Sequence, residues 1–288
     1  MAAILMSSLA FPALSSAGAW TQTPGDSYVR LSYAWSRTQT RFDERGERVG
    51  LEAPGRPARG TEYRDREFRI YGEYGIIERL TAYGSFAYKR LRLLEPTAFV
   101  RSGIIPEAIH RTSGIGDVYV GGRYRILNSR IPVSVSGEMK IPGGYSTSMS
   151  PSLGTGKADF TVRALGGAST EWGYATADAG WSRRGGSYQD EFLYSAEVGG
   201  RFLGRFYSWR GALRGRRSIG ATVALSDLAL FDPNLASPRA LEFDAVLGAE
   251  LAHGLDLEAG LSHIVSGQNS LAGNAFELGI AWSRRRGR

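Results

Sequence analysis

The chain has 288 residues, 42% of them apolar and 11% aromatic, so it can form a packed fold and wholesale disorder is excluded. Cysteine is absent, which excludes disulfide scaffolds, zinc–thiolate sites and thiol nucleophiles, and three dispersed histidines (His110, His253, His263) argue against a metal cluster. The formal charge is +7, and 32 of the 35 basic residues are arginines, because lysine occurs only at positions 89, 140 and 157.

The first element in chain order is residues 1–19, MAAILMSSLAFPALSSAGA, which carry no charge and are mostly small or apolar. They are short for a membrane span, and Ala17-Gly18-Ala19 has the small-x-small form of a cleavage site. The expectation is a signal peptide over 1–19 and a mature chain over 20–288. Nothing later has roughly 18 uninterrupted apolar residues, so no transmembrane helix is predicted.

Strict alternation then recurs along the chain and no helical period is sustained. In DSYVRLSYAWS, Val29, Leu31, Tyr33 and Trp35 share one face, with Arg30, Ser32, Ala34 and Ser36 on the other. Strands are predicted near 26–37, 63–74, 80–90, 115–126, 132–141, 159–169, 173–182, 191–202, 207–217, 240–252, 255–265 and 274–282. Six to eight such segments would also suit a soluble sandwich. The connections argue otherwise. Short ones (75–79, 127–131, 170–172, 203–206, 253–254) alternate with long ones (38–62, 91–114, 142–158, 183–190, 218–239, 266–273), the arrangement of an outer-membrane barrel. The fold class predicted is all-β, an antiparallel transmembrane β-barrel; twelve strands is the best count, and ten or fourteen also fit.

Aromatic residues supply a separate reading. With both termini periplasmic, outward aromatics fall near the loop rim (Trp35, Phe68, Phe86, Tyr88, Phe160, Trp181, Phe192, Phe243) and the turn rim (Tyr74, Tyr124, Phe202, Trp209, Trp282). Two girdles match two headgroup layers, whereas a sandwich would gather its aromatics mid-core.

The same parity sends the charges inward. Arg123, Arg125, Arg163, Glu197, Arg201, Arg210, Arg214, Glu242 and Asp244 are predicted to line the lumen, cross-linked as Arg–carboxylate pairs. Their alternation with carboxylates is unlike a nucleic-acid-binding face, so no nucleic acid partner is expected. Asp117, Lys140 and Asp159 fall at the loop ends of the fourth, fifth and sixth strands, all on the lumen face. Neighbouring strands lie about 4.8 Å apart, so these three are predicted to form a charge cluster at the extracellular mouth. It would fix register or set a polar selectivity point.

The segments SGIGDVYVGGRYRIL (113–127), PVSVSGEMKIPGG (132–144) and LGTGKADF (153–160) resemble the core of the outer-membrane protein family named for the MetA pathway of phenol degradation. Members carry a Lys-Leu-Pro-Thr-Gly-like string after the fifth strand; here it reads Lys140-Ile141-Pro142-Gly143-Gly144, without the threonine. The resemblance implies a barrel associated with uptake of aromatic or other hydrophobic compounds.

The function expected is therefore an outer-membrane channel or transporter for small solutes, with membrane lipid and a small-molecule solute as partners and no cofactor. Trp282 would be the C-terminal aromatic offered to the barrel-assembly machinery, with six residues after it. A structural or adhesive barrel with a charge-plugged lumen is the alternative, and loop 38–62 is a candidate plug. A lipid-modifying enzyme would need His263 beside Ser226, Ser266 or Ser270. Parity places His263 on the lipid face, where it reads as an interfacial histidine, and no catalytic set is predicted.

Overall fold

A computed structural model describes residues 18–51, 60–100, 103–203, 206–220 and 239–284. The proposed signal peptide, apart from Gly18 and Ala19, lies outside the described residues. Twelve long strands make the wall: β1 (Ser27–Phe42), β2 (Glu62–Ile77), β3 (Leu80–Glu95), β4 (Ala108–Leu127), β5 (Val133–Ile141), β6 (Asp159–Ser169), β7 (Tyr174–Arg183), β8 (Glu191–Phe202), β9 (Tyr207–Ser218), β10 (Arg239–Ala252), β11 (Leu255–Gln268) and β12 (Ser270–Arg284). Each pairs antiparallel with its chain neighbours. β12 pairs with β1, from Ser27↔Arg284 to Phe42↔Ser270, and closes the barrel. Closure satisfies the backbone groups of both edge strands, which a strand structure in hydrocarbon requires.

The wall separates two solvents, and the side chains sort accordingly. Leu31, Tyr33, Val120, Val162, Leu213, Leu278 and Ile280 are exposed on the outer face, while Ser32, Glu73, Thr81, Arg123, Ser134 and Asp178 between them are buried inside. The girdle residues Trp35, Tyr74, Tyr88, Tyr124, Trp181, Trp209 and Trp282 are all exposed on the outer face. Trp35 stacks on Phe276 with ring centroids 5.7 Å apart, and Phe202 stacks on Tyr207 at 5.5 Å, one pair at each rim.

The strands overrun their predicted ends on one side of the barrel. β1 continues to Phe42, β3 to Glu95, and β4 begins at Ala108 rather than near 115. Up there the polarity reverses. Arg64, Arg66, Arg90, Arg92 and Arg111 take the outer face by register with Trp35, Phe68 and Tyr88. Tyr63, Leu91 and Leu93 turn inward and pack with Leu51 and Leu153 as a buried apolar cluster. This is the apolar-in, polar-out order of a wall with water outside.

Two connections also differ from expectation. Residues 266–273 are not a long loop: β11 and β12 meet at Asn269, whose φ of 50° is a left-handed conformation that asparagine tolerates. Its amide donates to the Asp43 carbonyl at 3.1 Å, tying this turn to the loop after β1. Within 38–62, a short strand at Arg48–Gly50 extends the wall beside β1, so the described part of that loop builds the rim.

Candidate functional site

The lumen is built from three layers of inward side chains. At the loop end, β4, β5 and β6 bring Asp117, Lys140 and Asp159 together. Lys140 Nζ lies 2.5 Å from Asp159 Oδ2 and 3.5 Å from Asp117 Oδ2. It also donates to Thr155 Oγ1 at 2.8 Å, which ties the 142–158 loop to the cluster. Tyr145 from the same loop donates its hydroxyl to Asp117, and the Gly156 amide donates to that hydroxyl at 3.0 Å. Asp159 Oδ1 accepts from the Gly185 amide at 2.9 Å. A Cβ on Gly154 would overlap the Tyr145 hydroxyl and come within 2.8 Å of Asp117 Oδ2, so only glycine lets the loop pass here. Leu153 beyond it enters the apolar cluster under β2 and β3. Among the described residues, loop 142–158 thus turns inward, and Leu51 of the loop 38–62 joins the same cluster.

At the turn end, the segment before β1 enters the barrel. Ala19 is fully buried and its carbonyl accepts from the inward Ser134 hydroxyl at 2.5 Å. Trp20 meets Tyr174 edge-on, with ring centroids 6.1 Å apart. The Gln22 amide donates to Thr81 Oγ1 at 2.7 Å, and its side-chain amide donates to Glu73 Oε2 at 2.8 Å. No periodic signal in the sequence announces this arrangement.

Between these ends the charges pair along the wall. Arg123 meets Glu73 at 3.1 Å, Arg163 meets Asp178, and Arg214 meets Asp244 at 2.5 Å with Glu197 at 3.7 Å. Arg201 meets Glu250 at 3.0 Å and Asp256 at 3.6 Å. Glu258 lies between Arg30 and Arg210, at 2.7 and 3.4 Å. Glu242 stands opposite Arg214 in register, and Arg125 instead reaches the Glu78 carbonyl at 2.9 Å near the turn rim. Arg30, Glu73, Asp178, Arg184 and Glu258 belong to the same network. The same parity rule reaches them, although the sequence reading did not single them out.

A cavity of about 590 Å³ lies between the two ends. It runs from the layer of Asp117, Lys140 and Asp159 to that of Arg123 and Glu197, and its wall includes Tyr71, Tyr83 and Tyr119. Arg214, although paired, keeps 46% of its side-chain surface exposed, so the middle of the lumen is hollow rather than packed. Glu138 also faces this space and has no ion pair among the described residues. His263 Nδ1 lies 2.6 Å from Asn274 Oδ1 on the outer face, partnered by an amide rather than by a serine or carboxylate.

Solved structures with this fold are membrane barrels. An outer membrane channel from Pseudomonas putida F1 aligns with 92% of this chain and 98% of its own, with a TM-score of 0.64 and 14% identity. The KdgM porin aligns with 89% of this chain and 99% of its own, with a TM-score of 0.51 and 7% identity. The translocator domain of the autotransporter NalP from Neisseria meningitidis aligns with 91% of this chain and 89% of its own, with a TM-score of 0.50 and 13% identity. At these identities the likeness is one of fold: a closed antiparallel transmembrane barrel of twelve strands. No family model and no curated relative matches the sequence.

Proposed function

We propose that the protein is an outer-membrane channel or transporter for small solutes, with 1–19 removed as an export signal and 20–288 forming the barrel. The observation that carries this reading is the polar lumen cavity of about 590 Å³ inside a closed lipid-facing wall. Its solute is a small aromatic compound bearing a hydroxyl or carboxyl group. Tyr71, Tyr83 and Tyr119 offer ring faces and edges, and Arg69 and Arg163 on the same wall offer donors to the polar group. The resemblance of 113–160 to the phenol-degradation family supports the same class.

In this reading Asp117, Lys140 and Asp159 act at the mouth. Lys140 is the cation of this layer between the two carboxylates and holds loop 142–158 through Thr155. Passage then requires that loop and the segment at 20–23 to shift, since each fills one end of the lumen. That filling favours the second reading, a structural barrel with a plugged lumen.

Planar-bilayer recording and liposome swelling separate the two. A channel conducts ions, and liposomes carrying it swell in 4-hydroxybenzoate faster than in a hexose of similar size. Silence in both assays leaves the plugged barrel. Comparing Lys140→Ala with Lys140→Arg assigns the cluster: a changed ion preference in the alanine variant alone makes it a selectivity point, and an unchanged one leaves only register. N-terminal sequencing of the exported protein tests cleavage before Trp20.

A further inference from the structure

The outer face above the aromatic girdle carries rows of arginines that the lumen reading does not use. Register sets them side by side. Trp35, Arg66 and Arg90 form one rung across β1, β2 and β3. The next rung up is Arg37, Arg64, Arg92 and Arg111, across β1 to β4. The rung immediately below is Tyr33, Phe68, Tyr88 and Ile115, all exposed and apolar or aromatic. With strands about 4.8 Å apart and rungs about 7 Å apart, six guanidinium groups occupy a patch about 14 Å wide.

Among the described residues, one carboxylate serves this patch. Glu62 is buried under Arg37 and Arg64, with its Oε2 2.5 Å from Arg37 Nη2 and its Oε1 on Arg64 Nε. The side chains of Arg66, Arg90, Arg92 and Arg111 have no ion pair or hydrogen bond among the described residues. The Nε of Arg92 is moreover buried without an acceptor. Like charges directly opposite across strands repel, so such rungs favour an anion beyond the described residues. The opposite rim differs: its turns carry Glu78, Arg79, Arg130 and Glu171, mixed in sign.

Depth and chemistry identify that anion. Girdle aromatics sit at headgroup level, so cations one and two rungs higher meet the outermost charged groups of the lipid. Guanidinium groups hold phosphate oxygens bidentately. We propose that Arg66, Arg90, Arg92 and Arg111 form a docking surface for the phosphate groups of an outer-leaflet glycolipid. This rests on the outer-membrane placement proposed above. The surface lies outside the lumen, so it needs no transport activity.

The test uses the full mature chain folded in detergent, with native mass spectrometry reading bound lipid. The probe is diphosphorylated lipid A, with its dephosphorylated form, phosphatidylcholine and inorganic pyrophosphate as comparisons. Wild type should retain lipid A in preference to the dephosphorylated form. Replacing Arg66, Arg90, Arg92 and Arg111 by Gln should weaken retention about tenfold or more. Arg79→Gln with Arg130→Gln, at the opposite rim, should leave retention unchanged. Arg90→Gln with Arg111→Gln gives the partial loss if the fourfold variant does not fold. Equal retention by the fourfold or double variant overturns the proposal, as does equal binding of the dephosphorylated lipid. Displacement of lipid A by pyrophosphate overturns a lipid source. Single-channel conductance of the folded variants should stay at wild type, which keeps this result separate from the channel reading.

Discussion

Glu73 on β2 and Arg123 on β4 are joined across the intervening β3 by an ion pair of 3.1 Å, with neither side chain more than 2% exposed. Glu73 also accepts from Tyr71 at 2.5 Å and from Gln22 at 2.8 Å, so one carboxylate fixes two inward side chains of the wall and the segment before β1. Removing one partner of a buried pair leaves an uncompensated charge, at about 3–5 kcal/mol. Glu73→Gln should lose about that much in a urea titration of the folded barrel. Glu73→Met with Arg123→Met should lose less, because neither charge is then stranded. Equal losses would show that the pair is not the source.

Gly75 presses against the same segment: a Cβ there would overlap the Thr23 carbonyl oxygen. The Gly25 amide donates to the Gly75 carbonyl at 2.9 Å, so the two backbones are already in contact. Gly75→Val should therefore displace residues 20–23 from the lumen while β2 and β3 stay paired. The expected readout is a larger single-channel conductance with an unchanged far-ultraviolet circular dichroism spectrum. A conductance equal to wild type would mean the segment does not obstruct flow.

The two faces of the wall should respond differently to the same substitution. Val120 on β4 is 45% exposed on the lipid side, between the girdles. Arginine there should destabilise by about 2–4 kcal/mol, the penalty for a cation near the bilayer midplane. Thr161 faces the lumen and stands opposite Glu138 in register, so Thr161→Arg gains a carboxylate partner and should be much milder. Refolding titrations into lipid vesicles measure both, and equal losses would reverse the assignment of faces.

Asp43 gives the loop turn a pH dependence. Its Oδ1 accepts from the Glu47 amide at 2.9 Å and the Arg45 amide at 2.8 Å. The Glu47 hydrogen bond above all, with those of Arg45 and Gly46 and the charge of Arg41, holds its carboxyl below the usual range. A depressed folded value means the turn is favoured most above the ordinary aspartate pKa, about 3.9, and loosens as pH falls through the lower one. Amide exchange at Arg45 and Glu47 should accelerate below that pH beyond its intrinsic trend. Asp43→Asn should remove the dependence.

Alternation made the wall legible because lipid and lumen impose opposite polarity on successive residues, as from Val29 to Trp35 and from Ser134 to Lys140. The positions of Asp117, Lys140 and Asp159 followed from the same parity, since register is fixed wherever each face has its own solvent. The strand ends were not legible for the same reason. Arg64, Arg66, Arg90 and Arg92 face out while Tyr63, Leu91 and Leu93 face in, so a pattern keyed to apolar-out stops where the hydrocarbon stops. Trp20 and Gln22 carry no periodic signal at all. Tyr174, Thr81 and Glu73, distant in sequence, decide where they lie. Inward packing of 142–158 depends likewise on tertiary partners, Lys140 and the apolar cluster around Leu93.

The unequal strand lengths give the barrel a slanted mouth. β4 runs for 20 residues and β5 for 9, and their pairing starts only at Val118↔Ile141, so residues 108–117 rise above the neighbouring strand. Ten residues of tilted strand amount to a step of about 25 Å. Like an obliquely cut pipe, the opening looks sideways across the membrane plane, over the low edge formed by β5 to β7. In the channel reading, a molecule lying at the lipid surface on that side would meet the opening at its own height, while one arriving from the opposite side would meet a parapet.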